Sequence, residues 1–345
     1  MATDKPVILT GVRSNAELTL GNLLGAILPL TRLQQQYSSD YRINAFIPDL
    51  HSITTPTDYA KLYQNTIDNI RLYVAAGLDL KNPNLSIYRQ SYIPAHSELA
   101  WILDCFIYYG ELARMTQFKD KSSTQESVSA GLFNYPSLMA ADILLYDASY
   151  VPVGEDQRQH LELTRDVAIR MNNAFGDLFV VPKPWEDQIK FIKVGAGLRI
   201  RSLKHPNQKM SKSIADPSGT ILLSDQPSVA RDKVLGATTD SLGSIDYDFE
   251  NRPGVSNLLQ IIAAIENTPL SDVVSKWKGE TSYSKLKQTA ADLVEKTLSE
   301  LQNKLDKVTE QEIEETLLEH EERVRSLAQS KLAQVQSAVG LRPKV

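Results

Sequence analysis

The sequence predicts an α/β fold in which a parallel sheet with a helical insertion is followed by an all-helical C-terminal domain. Over the first part of the 345-residue chain, short apolar runs alternate with amphipathic stretches of helical period. This alternation is typical of crossover connections and a parallel sheet. From about Ser228 onward, Gly and Pro thin out and long periodic stretches take over, which indicates a helical domain. We therefore expect one domain over residues 1–225, with the insertion at about 95–150, and a second domain over residues 226–345.

Short apolar runs bounded by turn residues predict the strands. They lie at Val7–Thr10, Ile43–Ile47, Leu85–Tyr88 and Tyr150–Val153. Apolar positions at helical spacing predict the helices. These begin near Leu20 and continue over Tyr59–Ala76, His96–Gln117, Glu155–Met171, Val255–Ile265, Tyr283–Leu305 and Glu310–Val339. Pro29 interrupts the first helical pattern. Since proline lacks an N–H and crowds the carbonyl of Gly25, we expect a kink or an early end there.

Composition narrows the class of protein. The chain has 37 Lys and Arg against 42 Asp and Glu, a net charge of −5, which argues against a general nucleic-acid coat, and we expect no DNA partner. The single cysteine, Cys105, excludes an intrachain disulfide and a Cys-rich zinc site. No apolar run approaches the ~20 residues that span a bilayer, and the apolar run at Val7–Thr10 is too short for a secretory signal. We expect a cytoplasmic protein without a membrane partner.

The first segment that carries chemistry joins the end of the first strand to the first helix. Thr10-Gly11-Val12-Arg13-Ser14-Asn15 is followed by Thr-Leu-Gly-Asn over 19–22. A helix N-terminus presents unpaired N–H groups that suit a phosphate, and Gly21 lets a ligand approach the backbone closely. The alternative interpretation is simply a capped helix after a strand.

The second segment is Lys-Met-Ser-Lys-Ser over 209–213, in a polar loop after the strand-like residues 198–200. Two lysines three residues apart, with hydroxyls between and beside them, can hold a polyphosphate and stabilise developing negative charge. A generic pair of lysines at this spacing would more simply be a solvated basic loop.

The third segment is a nearly all-apolar helix over 133–146 that contains one carboxylate, Asp142. Pro136 suits its first helical position. Met139 lies one turn before Asp142 and Tyr135 lies two turns before it, so the three share a face. An isolated buried carboxylate is costly. It either forms the floor of a pocket and accepts one N–H from a flat apolar ligand, or it is paired to a donor of the protein.

The fourth segment is a buried strand that ends at Gly154 and is followed at once by Glu155 and Asp156. Acidic side chains at a helix start are favourable on dipole grounds alone. In the same place a carboxylate and the Gly154 backbone can bind ribose hydroxyls, as acidic residues do after nucleotide-binding strands. His160, one turn further on, more often packs than binds a ligand.

Together the four segments resemble a known family. Lys-Met-Ser-Lys-Ser is the mobile loop of class I aminoacyl-tRNA synthetases, and Thr-Leu-Gly-Asn is similar to that class's other motif, usually His-Ile-Gly-His. Met-Ala-Ala-Asp-Ile-Leu-Leu-Tyr over 139–146, followed by Val-Pro-Val-Gly-Glu-Asp-Gln over 151–157, resembles bacterial-type tryptophanyl-tRNA synthetases. The resemblance extends from Val7 to about Leu341.

The resemblance implies a Rossmann-like catalytic domain and a helical domain that binds the tRNA anticodon. It implies that the tryptophan carboxylate attacks the α-phosphorus of ATP, which carries Mg²⁺, and that the resulting adenylate transfers tryptophan to the terminal ribose of tRNA(Trp). It also implies a homodimer with its interface near the insertion that includes Trp101–Tyr146.

By the same likeness, Asp142 receives the indole N–H of tryptophan. The other residues around the amino acid are Tyr135, Met139, His51, Val153 and Gln157. The residues expected against ATP are Arg13, Ser14, Asn15, Gly21, Asn22, Gly154, Glu155, Asp156, Ile200, Lys209, Met210, Ser211, Lys212 and Ser213. Those expected to act in catalysis are Lys209, Lys212, Asn22 and Arg13, with no metal site of the protein's own.

The chain departs from the family pattern at three places. Arg13-Ser14-Asn15-Ala16 stands where Gln-Pro-Ser-Gly is common, which adds a positive charge near the phosphates. Thr19 replaces a frequent His, and the segment after Ser213 is two residues longer than usual. Two rivals stay open: a tyrosyl-tRNA synthetase, which the sequence around Asp142 opposes, and a non-catalytic nucleotide- or RNA-binding relative.

Lys212→Ala is expected to slow adenylate formation far more than it weakens tryptophan binding, because this lysine would hold the departing pyrophosphate. Single-turnover kinetics, compared with equilibrium tryptophan binding, measures the two effects. Equal losses in both would contradict the role given to Lys212.

Overall fold

The computed structural model describes residues 5–12, 17–123, 127–191, 200–211 and 217–343. Within these ranges, four strands form one sheet in the order β3-β2-β1-β4, and all neighbouring pairs are parallel. The strands are β1 (Val7–Gly11), β2 (Arg42–Ile47), β3 (Leu85–Arg89) and β4 (Ala148–Tyr150). The first three confirm the predictions to within a residue at each end.

The prediction for the fourth strand was wrong in position, since β4 ends at Tyr150 rather than at Val153. The N–H of Val151 donates to the side chain of Gln188 over 2.9 Å instead of to a neighbouring strand. Pro152 has no N–H to donate, so the ladder cannot continue through it.

Helices surround the sheet. Before β4 they are α1 (Leu20–Asn22), α2 (Leu28–Tyr37), α3 (Asp49–Ser52), α4 (Leu62–Ala75), α5 (Ala95–Asp104), α6 (Tyr109–Ala113), α7 (Thr116–Ser122) and α8 (Ala130–Leu144). After β4 they are α9 (Arg158–Phe175), α10 (Trp185–Phe191), α11 (Pro227–Leu235), α12 (Pro253–Glu266), α13 (Leu270–Trp277), α14 (Tyr283–Leu305) and α15 (Glu310–Ala338). Single 3₁₀ turns lie at Tyr59–Lys61, Gln90–Tyr92, Glu155–Gln157 and Pro217–Gly219. Each of the described helices is too short or too polar to span a lipid bilayer.

The single helix predicted over 96–117 was wrong, because this stretch forms three helices, α5, α6 and α7. The carboxylate of Glu111 accepts the backbone N–H of Tyr108 over 2.8 Å, which starts a new helix. Arg170 of α9 pairs with the same carboxylate. A contact distant in sequence therefore decides where α6 begins.

Two prolines lie inside helical segments and are accommodated differently. Pro29 follows a π-helical turn at Leu23–Ile27 and falls in the first turn of α2. The widened turn shifts the hydrogen-bond pattern, so the missing proline N–H falls at the start of a new helix. Pro136 was expected at a first helical position, and this was wrong. Ser129 caps α8 by accepting the N–H of Leu132 over 3.1 Å, and Pro136 is buried in the helix interior.

Alternate residues of the strands enter two core clusters. The first cluster contains Ile8, Ile43 and Ile87, and the second contains Leu9, Phe46 and Tyr88. Since successive side chains of a strand point to opposite faces, the clusters cover the two faces of the sheet. Helix α15 contributes to both clusters, with Leu317 in the first and with Val324, Ala328, Leu332 and Val335 in the second.

Helix α15 also covers the exposed edge of the sheet at β3. The N–H of Ile87 donates to Nδ1 of His320 over 3.1 Å, and the N–H of Arg89 donates to Glu321 over 3.1 Å. Arg323 donates to the carbonyl of Leu85 over 2.6 Å. Side chains of a helix thus take the place of a further strand and satisfy an edge that would otherwise invite intermolecular pairing.

We expect His320 to make the stability of this edge depend on pH. Burial, and then the charge of Arg323, lower the pKa of His320 from 6.5 to about 4. Between these two pH values, His320 therefore binds a proton in the unfolded chain but not in the folded chain. The free energy of unfolding falls as the pH drops from about 6.5 to 4. The loss amounts to as much as about 3 kcal/mol. His320→Gln keeps an acceptor for Ile87 but does not titrate.

Urea unfolding of the wild type and of His320→Gln between pH 7.5 and 5 measures the difference. The variant should lose less stability than the wild type over this range. If both lose the same amount, His320 is not the titrating group.

Candidate active site

The candidate site lies at the carboxyl ends of the parallel strands. The chain passes from β1 to β2 on one side, whereas β4 pairs with β1 on the other, and such a switch point creates a crevice where ligands bind in α/β sheets. His51 lies on α3 just after β2, Gln90 follows β3, and Gly154 follows β4. After β1, the structure describes the chain only as far as Val12. The predicted residues Arg13, Ser14 and Asn15 lie outside the described residues.

Asp142 stands at the centre of this region and is fully buried. Its carboxylate accepts a hydrogen bond from Nε2 of Gln90 over 2.6 Å and from Nδ1 of His96 over 2.6 Å. A third donor is Nε2 of His51, over 2.8 Å. Of the two interpretations offered for this residue, the structure shows the carboxylate paired to donors of the protein.

These partners keep the buried carboxyl group ionised. Burial alone would raise the pKa of Asp142, but the hydrogen bonds and charge of His51 and His96 outweigh it and hold the pKa below its ordinary value. On its other side, Nε2 of His96 lies 2.8 Å from the hydroxyl of Tyr146. Burial raises the pKa of Tyr146, so this hydroxyl keeps its proton.

The carboxylate retains capacity for a ligand. A carboxylate has about four lone-pair positions, so three donors leave about one of them. Gln90 and His96 are fully buried, whereas the His51 side chain is 19% exposed. His51 is therefore the most exposed of the three donors to Asp142.

The structure brings Tyr135 and His51, both predicted around the amino acid, together with Asp142. The rings of His51 and Tyr135 meet edge to face with centroids 6.1 Å apart, and the Tyr135 hydroxyl is 2.7 Å from Nε2 of His160. Burial, and then the charge of Asp156, raise the pKa of Tyr135.

The remaining predicted pocket residues, Met139, Val153 and Gln157, are partly buried. Met139 and Val153 are half-buried against the second core cluster. The amide of Gln157 donates to Asp156 over 3.0 Å. Asp156 also lies over Gly154, because a Cβ placed on that glycine would be 2.7 Å from its Oδ1. Gly154, Glu155 and Asp156 are exposed, so the predicted ribose-binding residues lie at the surface.

The predicted phosphate side is built around a capped helix. Thr19 caps α1, and Oδ1 of Asn22 accepts both the N–H and the hydroxyl of Thr19, each over 2.9 Å. A Cβ on Gly21 would lie 3.6 Å from Cβ of Ile200 and 3.8 Å from Cβ of Met210. The fold therefore places the Thr-Leu-Gly-Asn segment directly against the segment that leads into Lys-Met-Ser-Lys-Ser.

A short hairpin positions this second segment. The N–H of Met210 donates to the carbonyl of Ile200 over 3.1 Å, and the backbones of Lys209 and Arg201 form an antiparallel β-bridge. The carbonyl of Ser211 accepts the hydroxyl of Thr220 over 3.0 Å. The predicted residues Lys212 and Ser213 lie outside the described residues.

Sequence reasoning missed two residues of the carboxylate shell, Gln90 and His96. Gln90 is a polar residue at the carboxyl end of the predicted third strand, and that position on an α/β sheet was a usable signal. His96 begins an apolar helix, where it reads as an ordinary core residue.

Comparison with known proteins decides the family. The family described as tRNA synthetases class I (W and Y) matches residues 1–299 of the chain. The chain belongs to this family. A tryptophan–tRNA ligase of Caldanaerobacter subterraneus is 46% identical over 334 residues, which cover 97% of this chain and 98% of that protein. The tryptophan–tRNA ligase of Bacillus subtilis is 42% identical over 338 residues, 98% of each chain.

Solved structures agree with this membership. The tryptophanyl-tRNA synthetase of Mycoplasma pneumoniae superposes with a TM-score of 0.82 at 32% identity, covering 98% of each chain. That of Campylobacter jejuni, in complex with ADP and tryptophan, gives a TM-score of 0.73 at 29% identity, covering 97% of this chain and 99% of the other. The fold and family expected from the sequence motifs are confirmed.

We expect Asp142→Asn to destabilise the protein by about 3 kcal/mol at pH 7, because an amide cannot accept from three donors and leaves buried groups unpaired. Asp156→Asn, an exposed carboxylate in the same crevice, is the control and should change stability by less than about 0.5 kcal/mol. Urea unfolding measures both. Equal stability of the two variants would show that the Asp142 shell contributes nothing to the fold.

Proposed function

We propose that the chain is an ATP-dependent tryptophan–tRNA ligase. It joins L-tryptophan to AMP with release of pyrophosphate, and then transfers tryptophan to the terminal ribose of tRNA(Trp). The observation that carries this proposal is the similarity to tryptophan–tRNA ligases, at 40–46% identity over nearly the full length of the chain. The buried, ionised Asp142 supports it, as does the packing of Gly21 against Ile200 and Met210.

The proposed mechanism needs no side chain as nucleophile. The tryptophan carboxylate attacks the α-phosphorus of ATP, and the protein contributes by aligning the reactants and stabilising charge. Lys209 and Lys212 hold the leaving pyrophosphate, with Arg13 and Asn22 near the phosphates. In the described residues, no three His, Cys, Asp or Glu side chains are grouped closely enough to hold a metal ion. In this proposal, Mg²⁺ is carried by the phosphates of ATP.

Selectivity for tryptophan follows from the paired carboxylate. Indole offers one N–H to the remaining position on Asp142, phenylalanine offers none, and tyrosine places its hydroxyl elsewhere. A larger or wrongly placed polar group would have to displace His51 and leave buried donors unpaired, which is costly. The shell around Asp142 thus makes rejection depend on hydrogen bonds as well as on size.

The proposal extends to the partners. Three large aromatic side chains in the insertion are exposed: Trp101 by 71%, Tyr108 by 63% and Tyr109 by 76%. Exposed apolar clusters mark interaction surfaces, and these support a homodimer interface there.

The same proposal includes three further points. A domain boundary lies near residue 225, residues 226–345 bind the anticodon, and the protein is located in the cytoplasm. The net charge of −4 on residues 226–345 favours recognition by local base contacts.

ATP–pyrophosphate exchange with each amino acid in turn tests this function. Exchange should depend on tryptophan, with kcat/KM for phenylalanine and tyrosine lower by about 10⁴-fold. Charging of a tRNA(Trp) transcript then tests the second step. Exchange that depends on tyrosine would favour the tyrosyl rival, and no exchange with any amino acid would favour a non-catalytic relative.

A further inference from the structure

The end of β3 connects three separate parts of the molecule through consecutive residues. Arg89 bonds to Glu321 of α15, and Gln90 bonds to Asp142 of α8. Ser91 donates its N–H to Asp49 of α3 over 2.9 Å, and its hydroxyl bonds the same carboxylate. Helix α3 also carries His51. Two of the three donors to Asp142, Gln90 and His51, therefore depend on the position of residues 89–91.

Glu321 binds both the side chain and the backbone of Arg89. Nε and Nη2 of Arg89 donate to the two oxygens of Glu321 over 2.7 and 2.9 Å, and its backbone N–H donates to the same carboxylate over 3.1 Å. The guanidinium lies 3.4 Å from the ring centroid of Tyr92. Arg89 is 4% exposed and Glu321 is 1% exposed. A bidentate pair of this kind fixes both distance and orientation.

The buried side chain of Gln90, by contrast, forms a single hydrogen bond within the described residues. Its Nε2 donates to Asp142, while within the described residues its buried Oε1 has no hydrogen-bond partner. Arg89 ends β3 and Gln90 is the next residue, so the ion pair and the amide are joined directly through the backbone. The position of the amide against Asp142 therefore depends on the backbone that Glu321 holds.

We propose that Glu321, on the C-terminal helix, is a positioning residue for the amino-acid pocket: through Arg89 it fixes the end of β3 and so aligns Gln90 with Asp142. The proposal rests on the proposed function, because it assigns the pocket to tryptophan. Glu321 touches no reactant. Loss of the Glu321 carboxylate should weaken tryptophan binding selectively. ATP binding, which the proposed function assigns to the Thr-Leu-Gly-Asn and Lys-Met-Ser-Lys-Ser segments, should not change.

Glu321→Leu is the direct test, with ATP–pyrophosphate exchange and thermal unfolding measured on the full chain. We expect KM for tryptophan to rise about tenfold, in keeping with the weakening of one charged hydrogen bond in the pocket, while KM for ATP stays within about twofold. Glu321→Gln keeps one acceptor for the Arg89 N–H and should show the same selectivity with a smaller rise. It gives the answer if Glu321→Leu fails to fold.

Glu314→Gln is the matched control. Glu314 lies on the same helix and accepts from the hydroxyl of Tyr63 over 2.6 Å at the surface, so its loss should leave both KM values unchanged. Gln90→Ala should also raise KM for tryptophan, and the effects of Glu321→Gln and Gln90→Ala should not multiply when the two are combined.

Two results would overturn the positioning role. One is a Glu321 variant that unfolds at a lower temperature but keeps the wild-type KM for tryptophan. The other is a double variant in which the effects of the two single changes multiply. A wild-type chain without tryptophan-dependent exchange would instead refute the proposed function, so the two failures are distinguishable.

Discussion

A buried negative charge organises the region at the carboxyl ends of the parallel strands. Asp142 has no access to solvent, and an ionised carboxylate in that setting is stable only if it is surrounded by donors. The donors come from α3, from the end of β3 and from α5. The requirement to satisfy one charge therefore fixes the relative positions of three segments around the crevice.

The C-terminal helix is part of the same construction. Two of its side chains satisfy N–H groups on the edge of the sheet, and its apolar residues enter the core on both faces. The sheet that presents the candidate site is thus completed by residues far along the chain. A division near residue 225 separates regions of different composition, but the packing of α15 joins them.

The fold was largely accessible from the sequence, because strands and long helices leave local patterns. The first three strands and the helix at Tyr283–Leu305 follow from apolar periodicity alone. The errors share a cause in contacts between distant residues. Arg170 reaches Glu111 across 59 residues and helps to divide the helix predicted over 96–117. Gln90 and His96 reach Asp142 across 52 and 46 residues, and no local pattern records such a meeting.

The attachment of α15 to β3 bears on how the protein is made. Arg89 and Glu321 are 232 residues apart, so during translation the sheet emerges long before the helix that protects its margin. Until that helix is synthesised, the backbone of β3 stays open to strands of neighbouring nascent chains. This edge of the sheet is therefore completed late, only after α15 has been synthesised.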